Sequence, residues 1–291
     1  MRLRKIGIAL IALSAAGACK PAATSTGKER VVGVSKQINE YMYDIGAEGV
    51  LVGRDLTSIY PERIRSLPSV GYHRALSAEG ITSLQPTLFL TDGNVGPSTV
   101  LDQLRNVGIP ILTLAPGSTT DSAQGLMLKL GRRFHREKAA DSVVAVWRSE
   151  MEKVISDSAT GPRVRVLVMH FGQINNNYLA VAKGSPADRM IQLAGGVNAI
   201  DSVGRMTRLT PELIARTAPD VIIATDVGFD RVGSAEKFAA LPGVALTPAG
   251  KSKRIYRIDE SEVMYFGPRT PSTIRKLKAL LHDNAISAAA N

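Results

Sequence analysis

Cysteine is almost missing from this 291-residue chain: Cys19 stands alone. A single thiol excludes an intramolecular disulfide and any multi-cysteine metal site. Aromatic residues make up only 5%. That offers few stacking platforms, and no basic run is interleaved with them, so the composition does not point to nucleic acid. Apolar runs are short as well. None reaches the roughly 20 residues that a bilayer-spanning helix needs. The sequence also lacks a nucleophile elbow, a phosphate-binding glycine loop, a paired-histidine metal motif and a catalytic cysteine. These absences argue against an α/β enzyme such as a hydrolase or metal-dependent redox protein.

What is present begins with an export signal over residues 1–18. Arg2, Arg4 and Lys5 precede an apolar run from Ile6 to Ala16, followed by Ala16-Gly17-Ala18-Cys19. This is the charged, apolar, small-residue order of a secretory signal. Cys19 sits at the cleavage point, where a lipid-modified cysteine would anchor the mature chain; plain cleavage after Ala18 fits the same residues. Residues 19–30 are polar and carry Pro, Gly, Ser and Thr, the composition of a tether. The formal net charge is +10; removing the signal's three cations from 36 Lys and Arg leaves 33 against 26 Asp and Glu, or +7. That balance favours an anionic ligand or surface.

The remainder alternates short apolar strands with helical stretches, which predicts an α/β fold with largely parallel sheets. Strands are expected at Val31–Val34, Val50–Val52, Leu88–Thr91 and Ile111–Leu114, then at Val164–Met169, Val221–Ala224 and Arg254–Ile258. A weak internal repeat links the halves. Ser77-Ala78-Glu79 leads through Gln85-Pro86 into Leu88-Phe89-Leu90, and Thr210-Pro211-Glu212 leads through Ala218-Pro219 into Val221-Ile222-Ile223. Each reads as a capped helix, a proline stop and a buried strand. The repeat implies two Rossmann-like lobes, at 31–120 and 158–283, with a tail at 284–291. Between them, residues 121–157 predict one long linking helix of about 50 Å, with Gly125 and Gly131 as points of interruption.

Tyr72 and Arg74, in Val70–Gly80 (VGYHRALSAEG), pair a phenol with a permanent cation two residues away. On an extended segment both would face the same space, with His73 opposite. A nearby guanidinium favours the phenolate, a hard oxygen ligand suited to ferric iron; the pair also fits an ordinary loop. His170 closes the apolar run VRVLVMHFG. Strand ends of α/β sheets gather ligand sites, although a satisfied histidine fits there too. His135 and His282 lie in polar helical surroundings and read as surface residues.

Two lobes, one linking helix and an export signal resemble the helix-backbone class of ABC-transporter solute-binding proteins, which take cobalamin, siderophores or haem. Within it, Val52–Pro61, Leu67–Gly80, Ala187–Ile200, Leu241–Gly250 and Phe266–Pro271 look like the periplasmic haem binders of bacterial haem importers. The resemblance implies that Tyr72 ligates haem iron, that Arg74 supports its phenolate, and that His170 is a second-lobe candidate for iron or a second haem. It implies haem b as a transported, non-covalent ligand. It also implies that Glu79 and Glu212 dock onto the permease of a permease–ATPase importer; compensation of helix dipoles is the other reading of these two glutamates. The expected compartment is the periplasm, with or without a lipid on Cys19. Ferric siderophore and cobalamin remain alternative ligands. The chain departs from the family in its first loop, which reads GVSKQINEY where a glycine-rich loop with a Thr-Glu pair is usual. Asp226 and Val227 stand where some members carry a second cleft arginine, and Arg231 is the nearest arginine.

Overall fold

The computed structural model describes residues 28–157, 163–172, 177–204 and 206–282. The export signal, Cys19 and the tail lie outside the described residues.

In the first lobe β1 (Val31–Val34), β2 (Leu51–Arg54), β3 (Leu88–Thr91) and β4 (Ile111–Thr113) form a parallel sheet in the order β2-β1-β3-β4. Every residue of β1 and β3 is buried. Their unbroken apolar runs follow from a parallel sheet covered on both faces. Helices α1 (Lys36–Asp44), α2 (Ala78–Thr82) and α3 (Thr99–Asn106) connect the strands.

Two helices follow where one was expected. α4 (Thr120–Arg133) and α5 (Glu137–Ser156) are separated at Phe134–Arg136, with His135 in the left-handed region at φ 55°. Neither Gly125 nor Gly131 interrupts α4. Gly131 instead permits a close approach: a Cβ there would lie 2.4 Å from the Ala140 Cβ. Arg148 of α5 donates to Gln124 of α4 at 2.8 Å. The chain therefore folds back as an antiparallel helix pair. The long member, α5, has 20 residues and spans about 30 Å.

The second lobe contains β5 (Val164–Gly172), β6 (Asn177–Val181), β7 (Gly196–Asn198), β8 (Met206–Arg208), β9 (Val221–Thr225) and β10 (Ile255–Ile258). Its helices are α6 (Pro186–Leu193), α7 (Pro211–Thr217), α8 (Asp226–Val232), α9 (Ala235–Ala239), α10 (Pro248–Lys251), α11 (Glu260–Val263) and α12 (Thr270–His282). The parallel neighbours run β7-β5-β9-β10, matching β2-β1-β3-β4 of the first lobe. Antiparallel β6 and β8 are additions. They make this sheet mixed, because β5 outruns β7: Val164–Val166 pair with β7, while Met169–Gly172 pair with β6.

The internal repeat extends to backbone detail. Ser77 accepts from the Gly80 amide at 3.0 Å, and Thr210 from the Leu213 amide at 3.2 Å. Each helix is then followed by a left-handed residue before proline, Gln85 at φ 49° and Ala218 at φ 41°. Proline disfavours the right-handed helical region for its predecessor, so the same chemistry stops both helices.

One hydrophobic cluster runs through both lobes, with Ile38, Met42, Met127, Trp147, Ile191 and Leu277 among its buried members. Polar contacts reinforce it at Phe266–Arg269. Tyr41 OH donates to the Phe266 carbonyl at 2.7 Å, and Trp147 Nε1 to the Gly267 carbonyl at 3.0 Å. Arg269 grips Glu40 through two bonds of 2.8 and 3.1 Å, its guanidinium 3.8 Å from the Tyr60 ring centre. The FGPRTP segment is thus a clasp that fixes the second lobe to α1.

Candidate ligand-binding cleft

A cavity of about 960 Å³ lies between the lobes at the C-terminal ends of the strands, where α/β sheets gather their ligand sites. Tyr72, His73 and Arg74 line it from the first lobe, and His170 and Phe171 from the second. Leu179, Val181, Met206 and Val263 supply apolar wall.

The loop carrying Tyr72 is tied to β2 by the Val70 amide on the Arg54 carbonyl at 2.8 Å. It is not extended through Arg74. Gly71 adopts φ 99°, and the Ala75 amide closes a turn on the Tyr72 carbonyl at 2.7 Å. The expected alternation of faces is therefore lost. His73 lines the same cavity as Tyr72, its ring centre 4.5 Å from the tyrosine ring. Arg74 turns to Asn94, donating to Oδ1 at 2.9 Å. Among the described residues the Tyr72 hydroxyl makes no hydrogen bond, and the Arg74 guanidinium is engaged by Asn94 instead.

A polar chain runs behind the loop. Asn94 gives its oxygen to Arg74, so its Nδ2 is the donor that faces His73 Nε2 at 3.4 Å. His73 Nδ1 then carries the proton and faces Asp55 Oδ2 at 3.9 Å. Asp55 is fully buried and accepts from the Thr57 amide at 2.9 Å and from Ser58 Oγ at 2.5 Å. Burial pushes the His73 pKa down, and the Asp55 carboxylate opposes it only in part. No sequence motif marked Asp55 or Asn94; only the fold brings them behind Tyr72.

His170 sits near the end of β5, paired in register with Leu179. Its Nδ1 lies 3.4 Å from Thr225 Oγ1. Burial pushes its pKa down as well, aided by Lys36 and opposed by Glu260 and Asp226. The imidazole is therefore neutral near pH 7 and competent as a metal ligand. Beside it Lys36 and Glu260 form an ion pair of 2.7 Å, a feature the sequence did not flag.

The remaining candidates fall elsewhere. Glu79 and Glu212 are exposed second residues of α2 and α7 and do not line the cavity. The Glu212 carboxyl is held below its usual range by its own backbone amide and by Thr210. Arg231 stacks over the Phe171 ring at 4.7 Å, behind the wall and not in it. His135 and His282 are exposed, as expected. Among the described residues no group of three His, Cys, Asp or Glu side chains could hold a bare metal ion. No helix among them is long and apolar enough to cross a membrane.

Comparison with known proteins places this architecture. The periplasmic heme-binding protein RhuT from Roseiflexus sp. RS-1, in its apo form, superposes with a TM-score of 0.82 at 31% identity, over 89% of this chain and 100% of that one. The periplasmic heme-binding protein BhuT, in complex with two hemes, gives 0.80 at 29% identity, over 88% and 99%. The vitamin B12-binding protein of Yersinia pestis (strain Pestoides F) is 27% identical over 199 residues, 68% of this chain and 69% of that protein. The family model described as "Periplasmic binding protein" matches residues 31–262, which include both sheets and most of the cavity lining, and the chain belongs to that family.

Proposed function

We propose that this chain captures ferric haem in the inter-lobe cavity and delivers it to the permease and ATPase of an ABC importer. The observation that carries the reading is the convergence of Tyr72 and His170, from opposite lobes, on one cavity of mixed polar and apolar lining. A phenolic oxygen is a hard ligand for trivalent iron, and the neutral imidazole of His170 would be a donor to the same iron or to that of a second haem. The apolar side chains Leu179, Val181, Met206 and Val263 suit the face of a flat macrocycle, and the cations Lys36 and Arg74 suit its carboxylates. The similarity to RhuT and BhuT, both periplasmic heme-binding proteins, supports this choice. Arg74 reaches either the ligated oxygen or a ligand carboxylate once it leaves Asn94.

The cofactor-like group is cargo: haem b, held without a covalent bond. Lobes at 31–120 and 158–283, around a linking segment at 121–157, frame the cavity. Glu79 and Glu212 occupy equivalent places in the repeat and are the two docking points for the permease. Residues 1–18 direct export to the periplasm, and Cys19, at the cleavage point, is the position for a lipid anchor where cleavage is not the plain kind after Ala18. The similarity to vitamin B12-binding proteins favours a second reading, cobalamin in the same cavity.

Optical titration of the signal-free protein with haemin and, separately, with cyanocobalamin separates the readings. Haem capture predicts a saturable Soret shift with haemin that is altered in Tyr72→Phe, and no binding of the corrin. Saturable corrin binding without a haemin response would overturn it.

A further inference from the structure

Lysine is a poor first residue for a helix, because its charge opposes the positive end of the helix dipole. Lys36 holds that position in α1, directly after the Ser35 cap, and no acidic residue shares the first turn. The local rule is broken where α1 meets the cavity, and such breaks concentrate at functional sites. Glu260, the first residue of α11, meets Lys36 from the second lobe at 2.7 Å.

A second bridge of opposite sense, Glu40–Arg269, joins α1 to the second lobe one helical turn further on. The two differ in their carboxylates and in place: Glu40 is 2% exposed and its pair with Arg269 lies off the cavity, whereas Glu260 is 23% exposed and lines the cavity with Lys36. The Glu40–Arg269 bridge and the Phe266–Arg269 clasp hold the lobes together, so the bridge at the cavity is free to change partners. Arg74, the other cation among the lining residues, is held by a neutral amide. Lys36 alone already holds a carboxylate. Burial pushes the Glu260 pKa up, but its pairing with Lys36 opposes this and the net shift is downward, so Glu260 stays ionised.

We propose that Lys36 binds a carboxylate of the ligand, and that Glu260 occupies this cation until the ligand arrives. The exchange conserves charge at Lys36 and returns Glu260, already partly exposed, to water. The inference rests on the haem reading, since a porphyrin with propionates is the ligand that brings carboxylates into this cavity.

Haemin and haemin dimethyl ester test it, titrated at pH 8, where both cleft histidines are neutral. Lys36→Met should weaken haemin about tenfold, the loss of one charge-assisted hydrogen bond, and leave the ester unchanged. Glu260→Gln should tighten haemin by roughly threefold by removing a competitor. A purely structural brace predicts the contrary: both variants weaken both porphyrins alike. That pattern, or a Lys36→Met that binds haemin as wild type does with the Tyr72 signature intact, overturns the exchange but spares the haem reading. Failure of the wild type to bind either porphyrin removes both. Lys36→Gln and urea midpoints report whether any loss reflects folding.

Discussion

Replacing Arg269 by alanine should destabilise the protein by about 3–5 kcal/mol, because it strands a buried charge. Arg269 gives Glu40 two bonds, of 2.8 and 3.1 Å, donates to Ser261 Oγ at 2.6 Å, and covers the Tyr60 ring. Glu40 is only 2% exposed, and among the described residues its one remaining side-chain partner would be Tyr265 OH at 3.2 Å. Burial already pushes the Glu40 pKa up against the pull of Arg269. Without the guanidinium it rises further. A carboxyl with a raised folded pKa binds protons more readily in the native state, so its penalty grows with pH and fades as pH falls toward the unfolded value. The loss in Arg269→Ala should therefore be larger at pH 8 than at pH 5. Removing both charges, in Glu40→Leu with Arg269→Met, should recover most of it. Urea unfolding followed by Trp147 fluorescence suits the test, since Trp147 is the only tryptophan and its indole donates to Gly267 within the clasp. A loss below about 1 kcal/mol, the range of a surface pair, would refute the reasoning. So would a double variant as unstable as the single one.

Three further outcomes are expected. Gly131→Leu should cost about 1–3 kcal/mol by overpacking α4 on α5, because even its Cβ meets Ala140 at 2.4 Å; a raised melting temperature would show that the approach is looser. His73 and His170 both have lowered folded pKa values, so the unfolded state binds more protons below the usual histidine value. Stability should fall as pH drops below about 6.5 and be insensitive to these groups above it, with a shallower slope in His73→Gln and His170→Gln. Identical slopes in urea midpoints for wild type and both variants would contradict those shifts. Glu79→Ala with Glu212→Ala should leave haemin titration unchanged while lowering uptake in a reconstituted importer; unchanged uptake would remove the docking assignment.

The sequence displayed the parts of this fold that depend on local chemistry. Buried strands read as apolar runs, so β1, β3 and β9 were found within a residue. The helix stops at Gln85-Pro86 and Ala218-Pro219 were visible because proline acts on its immediate neighbour. Tertiary choices were not visible. The segment 121–157 has helical periodicity throughout, and nothing local announces a reversal at His135; it is packing of Gly131 on Ala140 that accompanies it. The β6 and β8 additions were missed because they depend on β5 outrunning its parallel partner. In the cleft, Tyr72 and His170 were legible from residue type and strand position. The facing of His73 and the engagement of Arg74 were not, since both follow from a turn set by Gly71 and from Asn94, 20 residues away in sequence. The Lys36–Glu260 pair, separated by 224 residues, could only emerge from the folded chain.

The central claim is that the Tyr72 oxygen binds the iron of the cargo. Resonance Raman spectra of the haemin-loaded protein, with and without ring-deuterated tyrosine, test it most directly. Iron–phenolate bands that shift on deuteration and vanish in Tyr72→Phe are the predicted result. Bands that persist in Tyr72→Phe, or a loaded wild type that shows none, would contradict it.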